Sequence, residues 1–285
     1  MVFSWVTAAM CSVLDAAETF VAPPPSRNAE IDAHGVPVGA VISADHDAYG
    51  TDFQFKTVPV PARNDAATKA EFTLVDGQRD RNSGPLGVLH DGRIPTEEDQ
   101  PSANFFFRAG TDGGRLRLDL GSVIAVKRVS TYSWHPNTRA PQVYRLYASD
   151  GAASGFNAAP GRGTDPVACG WKHVASVDTR SQEGDWGGQH GVTITDPIAS
   201  VLGRFRYLLF DISRTQSRDA FGNTFFSEID VVDAEGPEPV PATTGQGERI
   251  VKAFETECGR YRFTIDATAA PDLMGWANME LAPVV

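Results

Sequence analysis

The sequence predicts an all-β sandwich, and three features carry that expectation. Between Asp112 and Asp150 apolar and polar residues alternate with a period of two, as in strands that bury one face. Comparable short runs recur at roughly ten-residue spacing from Glu71 to Ala234, with turn residues between them. Glycine (27) and proline (19) are plentiful in the 285 residues, as a chain with many turns requires.

Residues 1–29 read as a signal-like segment and linker. Val2 to Ala17 is apolar apart from Ser4, Thr7, Ser12 and Asp15. It is too short and too interrupted to span a bilayer. It matches the apolar region of a signal peptide but lacks a basic start. A buried N-terminal helix would look the same, and export to the cell envelope or medium is the favoured reading. Pro23 to Asn28 follows as an extended linker. Residues 30–70 read as an irregular leader, in which Phe53 to Val58 alternates and fits a strand stopped by Pro59 and Pro61.

Phe72 and Leu74 mark the next strand, ended by Asp76-Gly77. Asn104 to Phe107 is a short apolar run suited to a buried strand. Leu116, Leu118 and Leu120 alternate with Arg115, Arg117 and Asp119 until Gly121 breaks the run. Val126 to Trp134 and Val143 to Ser149 are rich in β-branched and aromatic residues, with His135 to Gln142 as the loop between them. Gly151 to Gly170 reads as an inserted loop, and Ser181 to Gly191 as a polar loop around Trp186. Trp171 to Val177, Val192 to Ile194, Phe205 to Ile212 and Ile229 to Val231 complete the strands. Residues 235–249 form a Pro- and Gly-rich linker. In residues 250–285, Tyr261, Phe263 and Ile265 predict a strand. Pro271 suits a first helical position, and Leu273, Trp276, Leu281 and Val284 share one helical face. One strand and one helix cannot bury a core of their own.

The net charge of −11, without a Lys/Arg cluster, argues against a nucleic-acid partner. Three cysteines are not a disulfide framework; Cys169 and Cys258 could pair or stay as separate thiols. The six histidines never fall in a His-Glu-x-x-His helix, and no nucleophile elbow or phosphate loop is present. The sequence therefore predicts a non-enzyme.

Several segments carry a family resemblance: Leu89-His90-Asp91-Gly92, Leu118-Asp119-Leu120-Gly121, Tyr144 to Gly151, Trp171 to Val174, Gly203 to Leu208 and Ser227 to Val231. In this order they resemble the discoidin, or coagulation factor five/eight type C, domain, which is similar to the family-32 carbohydrate-binding modules. The resemblance implies a galactose-binding-like jelly-roll β-sandwich over residues 71–234 and a glycan or other cell-surface ligand. It also implies a structural calcium, because Asp91, Thr96 and Glu228 match the family's Asp-Gly turn, following Thr and last-strand Glu. A hard cation wants such oxygens, and Glu97-Glu98-Asp99 could contribute. A plain turn with a solvated Glu228 would give the same pattern.

Trp134, His135, Asn137 and Arg139 put an aromatic face beside directional hydrogen-bonding groups, the combination a sugar needs. The resemblance implies that the strands Val126 to Trp134 and Phe205 to Ile212 run in the same direction. Their following loops would then meet, adding Arg214, Arg218, Phe221 and Asn223 to one site. Trp134 also reads as a core ring, and the arginines as surface ion pairs. Gly259 to Val285 is similar to the start of the basic secretory protein family of zincin-like peptidases, whose zinc motif this sequence lacks. Three readings follow: a glycan-binding module, the accessory region of a metallopeptidase extending beyond residue 285, or a structural adhesion module.

Overall fold

The computed structural model describes residues 30–31, 37–181, 187–216, 221–244, 249–256, 259–266 and 278–283. The principal strands are β1 (Val41–Asp47), β2 (Glu71–Asp76), β3 (Gly114–His135), β4 (Val143–Ser149), β5 (Lys172–Asp178), β6 (Gly188–Thr195), β7 (Gly203–Ile212) and β8 (Phe226–Asp233). Every pairing among them is antiparallel.

β3 belongs to two layers. Its first half pairs with β2 on one side and β7 on the other, and β7 continues to β4 and β5. Its second half pairs with β6 and β8, and β6 continues to β1. The bend falls at Gly121, whose φ of 79° suits glycine, and the register with β7 jumps there. The result is a jelly-roll sandwich of a five-stranded and a four-stranded layer sharing one strand.

Alternation decides what lies between the layers. Leu116, Leu118, Leu146, Leu208 and Phe210 face Val129, Val192, Ile194, Ile229 and Val231 in one core. The outer faces are covered too. Tyr132 and Trp134 pack with Phe53, Val58 and Ile94 outside the four-stranded layer. Tyr147 and Leu209 pack with Trp171 and Phe156 outside the five-stranded layer.

Several expectations change. The leader contributes β1, an edge strand whose seven residues pair with β6, because Val41 and Ile42 find Thr195 and Ile194 to pair with. Phe53 to Val58 is not a strand. Phe53 sits at φ 53° and turns its ring into the outer cluster, so its alternation with Phe55 reflects burial and not extension. Asn104 to Phe107 makes isolated bridges, Phe105 to Phe226 and Arg79 to Phe107, in place of a continuous ladder. Cys169 is a free thiol, while Cys258 lies outside the described residues.

Residues Pro237–Pro241 run beside the segment Pro61–Arg63, with Val240 accepting from the Arg63 amide at 2.9 Å. Beyond them, β9 (Arg249–Thr256), β10 (Gly259–Asp266) and β11 (Asn278–Pro283) form a three-stranded antiparallel sheet. The predicted strand at Tyr261 to Ile265 is therefore present, but Leu281 lies on a strand opposite Phe263 and not on a helix. A short apolar run satisfies both periods, and the pairing partner decides between them. Leu273, Trp276 and Val284 lie outside the described residues.

Candidate ligand-binding cleft and buried acid cluster

The loop between β3 and β4 and the loop between β7 and β8 meet at one end of the sandwich. β7 runs antiparallel to the first half of β3, with Tyr207 opposite Asp119 and Ile212 opposite Gly114. β4 and β7 are antiparallel neighbours with Tyr144 opposite Ile212, so the loop entering β4 lies beside the loop leaving β7. The bonds that fasten them include Phe225 N–H to the Arg139 carbonyl (2.9 Å), the Thr215 hydroxyl to the Thr138 carbonyl, the Thr224 hydroxyl to the Pro141 carbonyl (2.6 Å) and Arg139 Nε–H to the Phe221 carbonyl (2.6 Å).

These loops and the segment 82–106 enclose an open cleft of about 420 Å³. His135, Asn137, Arg139 and Phe221 line it, together with Asn82, Asp99, Pro101, Phe106, Thr138 and Phe225. Phe106 and Phe225 stack with ring centres 3.9 Å apart. The Arg139 guanidinium lies 5.1, 5.0 and 4.6 Å from the centres of Phe106, Phe221 and Phe225, within cation–π range of all three. Burial raises the Asp80 carboxyl, but the Asn82 and Ala109 amides and the Arg139 charge outweigh it. Asp80 therefore titrates below the usual range and stays ionised near the guanidinium. Arg139 thus holds the cleft wall together, and Phe221, 59% exposed, offers its ring to solvent.

His135 accepts the Asn137 amide at Nδ1 (3.2 Å), which leaves Nε2 as the N–H of the neutral ring, 3.8 Å from Asp99. The cleft therefore presents amide, imidazole, hydroxyl and carboxylate groups around one aromatic face.

The remaining expected site residues lie elsewhere. Trp134 is 4% exposed, in T-shaped contact with Phe53, and does not reach the cleft. Side chains alternate across β3, and Trp134 falls on the outward face that residues 53–58 cover. Asn223 is buried, donating to the carbonyls of Arg108 and Thr111. Arg214 turns to Asp112, with Nε 3.9 Å from its carboxylate. Arg218 and Trp186 lie outside the described residues. Among the residues missed, Phe106 and Phe225 sit in apolar runs that read as core. Thr138 stands inside the loop already singled out, and Asp99 carried only the acidic-stretch signal. Asn82 gave no signal beyond a turn.

The calcium expectation can be tested on Glu228. Its side chain is buried on β8, where the Gly92 amide is the donor that reaches its carboxylate and an oxygen is left without a partner. Burial pushes its pKa well above the usual carboxylate range, the Asp230, Asp91 and Asp65 charges push it further, and the Gly92 amide opposes them in part. Asp230 is raised by burial and by Asp65, although its Oδ2 accepts the Ala62 amide at 2.9 Å. Asp91 lies at the surface, yet desolvation outweighs its bond from the Arg93 amide and raises it. A buried carboxylate with an unpartnered oxygen amid like charges fits a bound hard cation. The fit is incomplete at Thr96, whose amide and hydroxyl both turn to Gln100 Oε1. Among the described residues no three His, Cys, Asp or Glu side chains meet at metal-ligand spacing, so loop carbonyls would have to complete a shell.

Fold and loops together define a β-sandwich with an open cleft at one end. No protein-family model matches the chain, and no curated protein does. Among solved structures it is similar to CpGH89CBM32-4, produced by Clostridium perfringens and solved with GlcNAc-α-1,4-galactose. That likeness has 11% identity and a TM-score of 0.38, covering 59% of this chain and 92% of the other. It is similar as well to CBM32-1 from a family 31 glycoside hydrolase of Clostridium perfringens (13% identity, 61% and 99% coverage, TM-score 0.38). The lectin domain of lectinolysin complexed with Lewis B antigen gives the same four figures, 13%, 61%, 99% and 0.38. Such identities carry no site residues across, and the strand order given above defines the fold by itself.

Proposed function

We propose that the chain is a non-catalytic glycan-binding module of an exported protein. The observation that carries this reading is the exposed Phe221 ring beside Asn82, Asp99, His135 and Asn137 at one open cleft. A sugar offers an apolar C–H face to an aromatic ring and hydroxyls to polar groups, and this cleft holds both kinds of partner. Asp99, Asn137 and His135 would orient the hydroxyls, while Arg139 would act mainly by fixing Phe221.

A glycan array followed by calorimetry on the hits tests the proposal. Phe221→Ala is expected to weaken the best hit by roughly tenfold, the scale of one aromatic contact. Its melting temperature should change little, because the ring is exposed. Absence of any array signal, or full affinity in folded Phe221→Ala, would overturn the reading.

We further propose that Glu228 and Asp91, with Thr96 and nearby carbonyls, hold a calcium ion that supports the fold. Bound at a hundredfold excess over its dissociation constant, the ion would add about 2.7 kcal/mol of stability. Chelation is then expected to lower the melting temperature by roughly 5–10 °C. Asp91→Ala should lose the chelator response. Equal melting with and without chelator rules out the ion.

A further inference from the structure

Tyr49 is 96% exposed, and among residues with described side chains it and Phe221 are the exposed aromatics. Both lie at the same end of the four-stranded layer. Asp47 pairs with Gln189, Gly188 with His135, and Phe226 with Ser133, so the ends of β1, β6, β3 and β8 line up. Tyr49 follows the first of these ends, and Phe221 precedes the last.

The turn carrying Tyr49 is joined directly to the cleft. A Cβ on Gly188 would come within 2.5 Å of Ala48, and a Cβ on Gly187 within 2.0 Å of the Pro136 carbonyl and 3.1 Å of the Asn137 amide. Among the described residues, Gly187 and Gly188 lie between residue 48 and the loop bearing Asn137, and neither has a side chain. The turn is also held firmly. Asp47 Oδ1 accepts the amides of Tyr49 and Gly50, both at 2.9 Å, and the Phe53 amide donates to Gln189 Oε1 at 2.8 Å. An exposed aromatic ring on a held turn, beside a proposed sugar cleft, has a partner in the continuation of that sugar chain.

We propose that Tyr49 forms a second subsite, so that the module recognises an oligosaccharide of several units and not a terminal monosaccharide alone. This rests on the glycan-binding reading given above. β1 and β3 are two strand spacings apart, about 10 Å, which exceeds a single sugar ring and suits a short chain lying from Phe221 across Asn137 to Tyr49. The Tyr49 ring would stack on the distal unit, and its hydroxyl would bond to that unit or to water.

The test is calorimetric titration with two length series: galactose, lactose and lacto-N-tetraose, and N-acetylglucosamine with chitotetraose. In the wild type one tetrasaccharide is expected to bind roughly five- to tenfold tighter than its monosaccharide, the scale of one stacked ring. Tyr49→Ala should erase that gain, and Tyr49→Phe should keep most of it. Ile198→Ala, in the turn after β6 at the opposite end, should match the wild type. If monosaccharide and tetrasaccharide bind equally, or Tyr49→Ala keeps the gain while Phe221→Ala still weakens both, the subsite is refuted and the cleft reading stands. If the wild type binds none of these sugars and the array is also blank, both fall.

Discussion

Arg115→Ala is expected to lower folding stability by about 3–5 kcal/mol, since it breaks a buried charge network. Arg115 begins β3 on what the alternation reads as a polar face, yet it is 3% exposed. Its Nη2 lies 3.1 Å from Asp211 on β7. Its Nη1 donates to three carbonyls of the inserted loop, Pro160 (3.1 Å), Gly161 (2.8 Å) and Thr164 (2.8 Å). Truncation orphans those carbonyls and removes one partner of a buried carboxylate. Arg162, 3.4 Å from Asp211, remains and should hold the loss toward the lower end of the range. Urea unfolding measures it, and limited proteolysis within Gly151 to Gly170 should accelerate. Adding Asp211→Asn should recover part of the loss, because the stranded charge is then gone. An unchanged midpoint in Arg115→Ala would mean that the loop is held by its aromatic contacts alone.

Trp134→Ala is expected to cost about 3–5 kcal/mol as well, the range for emptying a large aromatic from a packed core. Trp134 lies between Phe53, Tyr132 and Ile94, and the Phe53 ring meets it edge-on at 5.8 Å. Phe53 holds a left-handed φ of 53° there, so the partner side also loses the contact that rewards its conformation. Denaturant unfolding gives the loss, and glycan affinity measured on the folded fraction should stay within a few fold of wild type. A variant that melts like wild type but no longer binds would return Trp134 to the ligand site.

Much of the cleft was legible in the sequence because it is built locally. His135 at the end of β3 and Asn137 and Arg139 in the loop after it are close in sequence, and Phe221 stands in the other long loop. Phe106 and Phe225 were not separable from core residues, since a run of phenylalanines reads as buried whether its outermost ring closes a core or floors a cleft. The acids behaved in the opposite way. Glu228 matched a motif, but only the structure gives it neighbours: Asp230 on its own strand, and Asp65 and Asp91 from loops more than a hundred residues earlier. Tyr49 carried no signal, because a lone aromatic beside Asp47 and Gly50 has no period to report.

The sequence by itself determined the central strands of the sandwich and which of their residues share a face, because side-chain direction in an extended chain follows from a period of two. It determined that Leu116 and Leu118 point one way and Arg115 and Arg117 the other. Whether a face meets water was decided only in three dimensions. The inserted loop covers Arg115, and the segment around Phe53 covers Tyr132 and Trp134. Burial depends on what arrives from elsewhere in the chain, and no local pattern encodes that arrival.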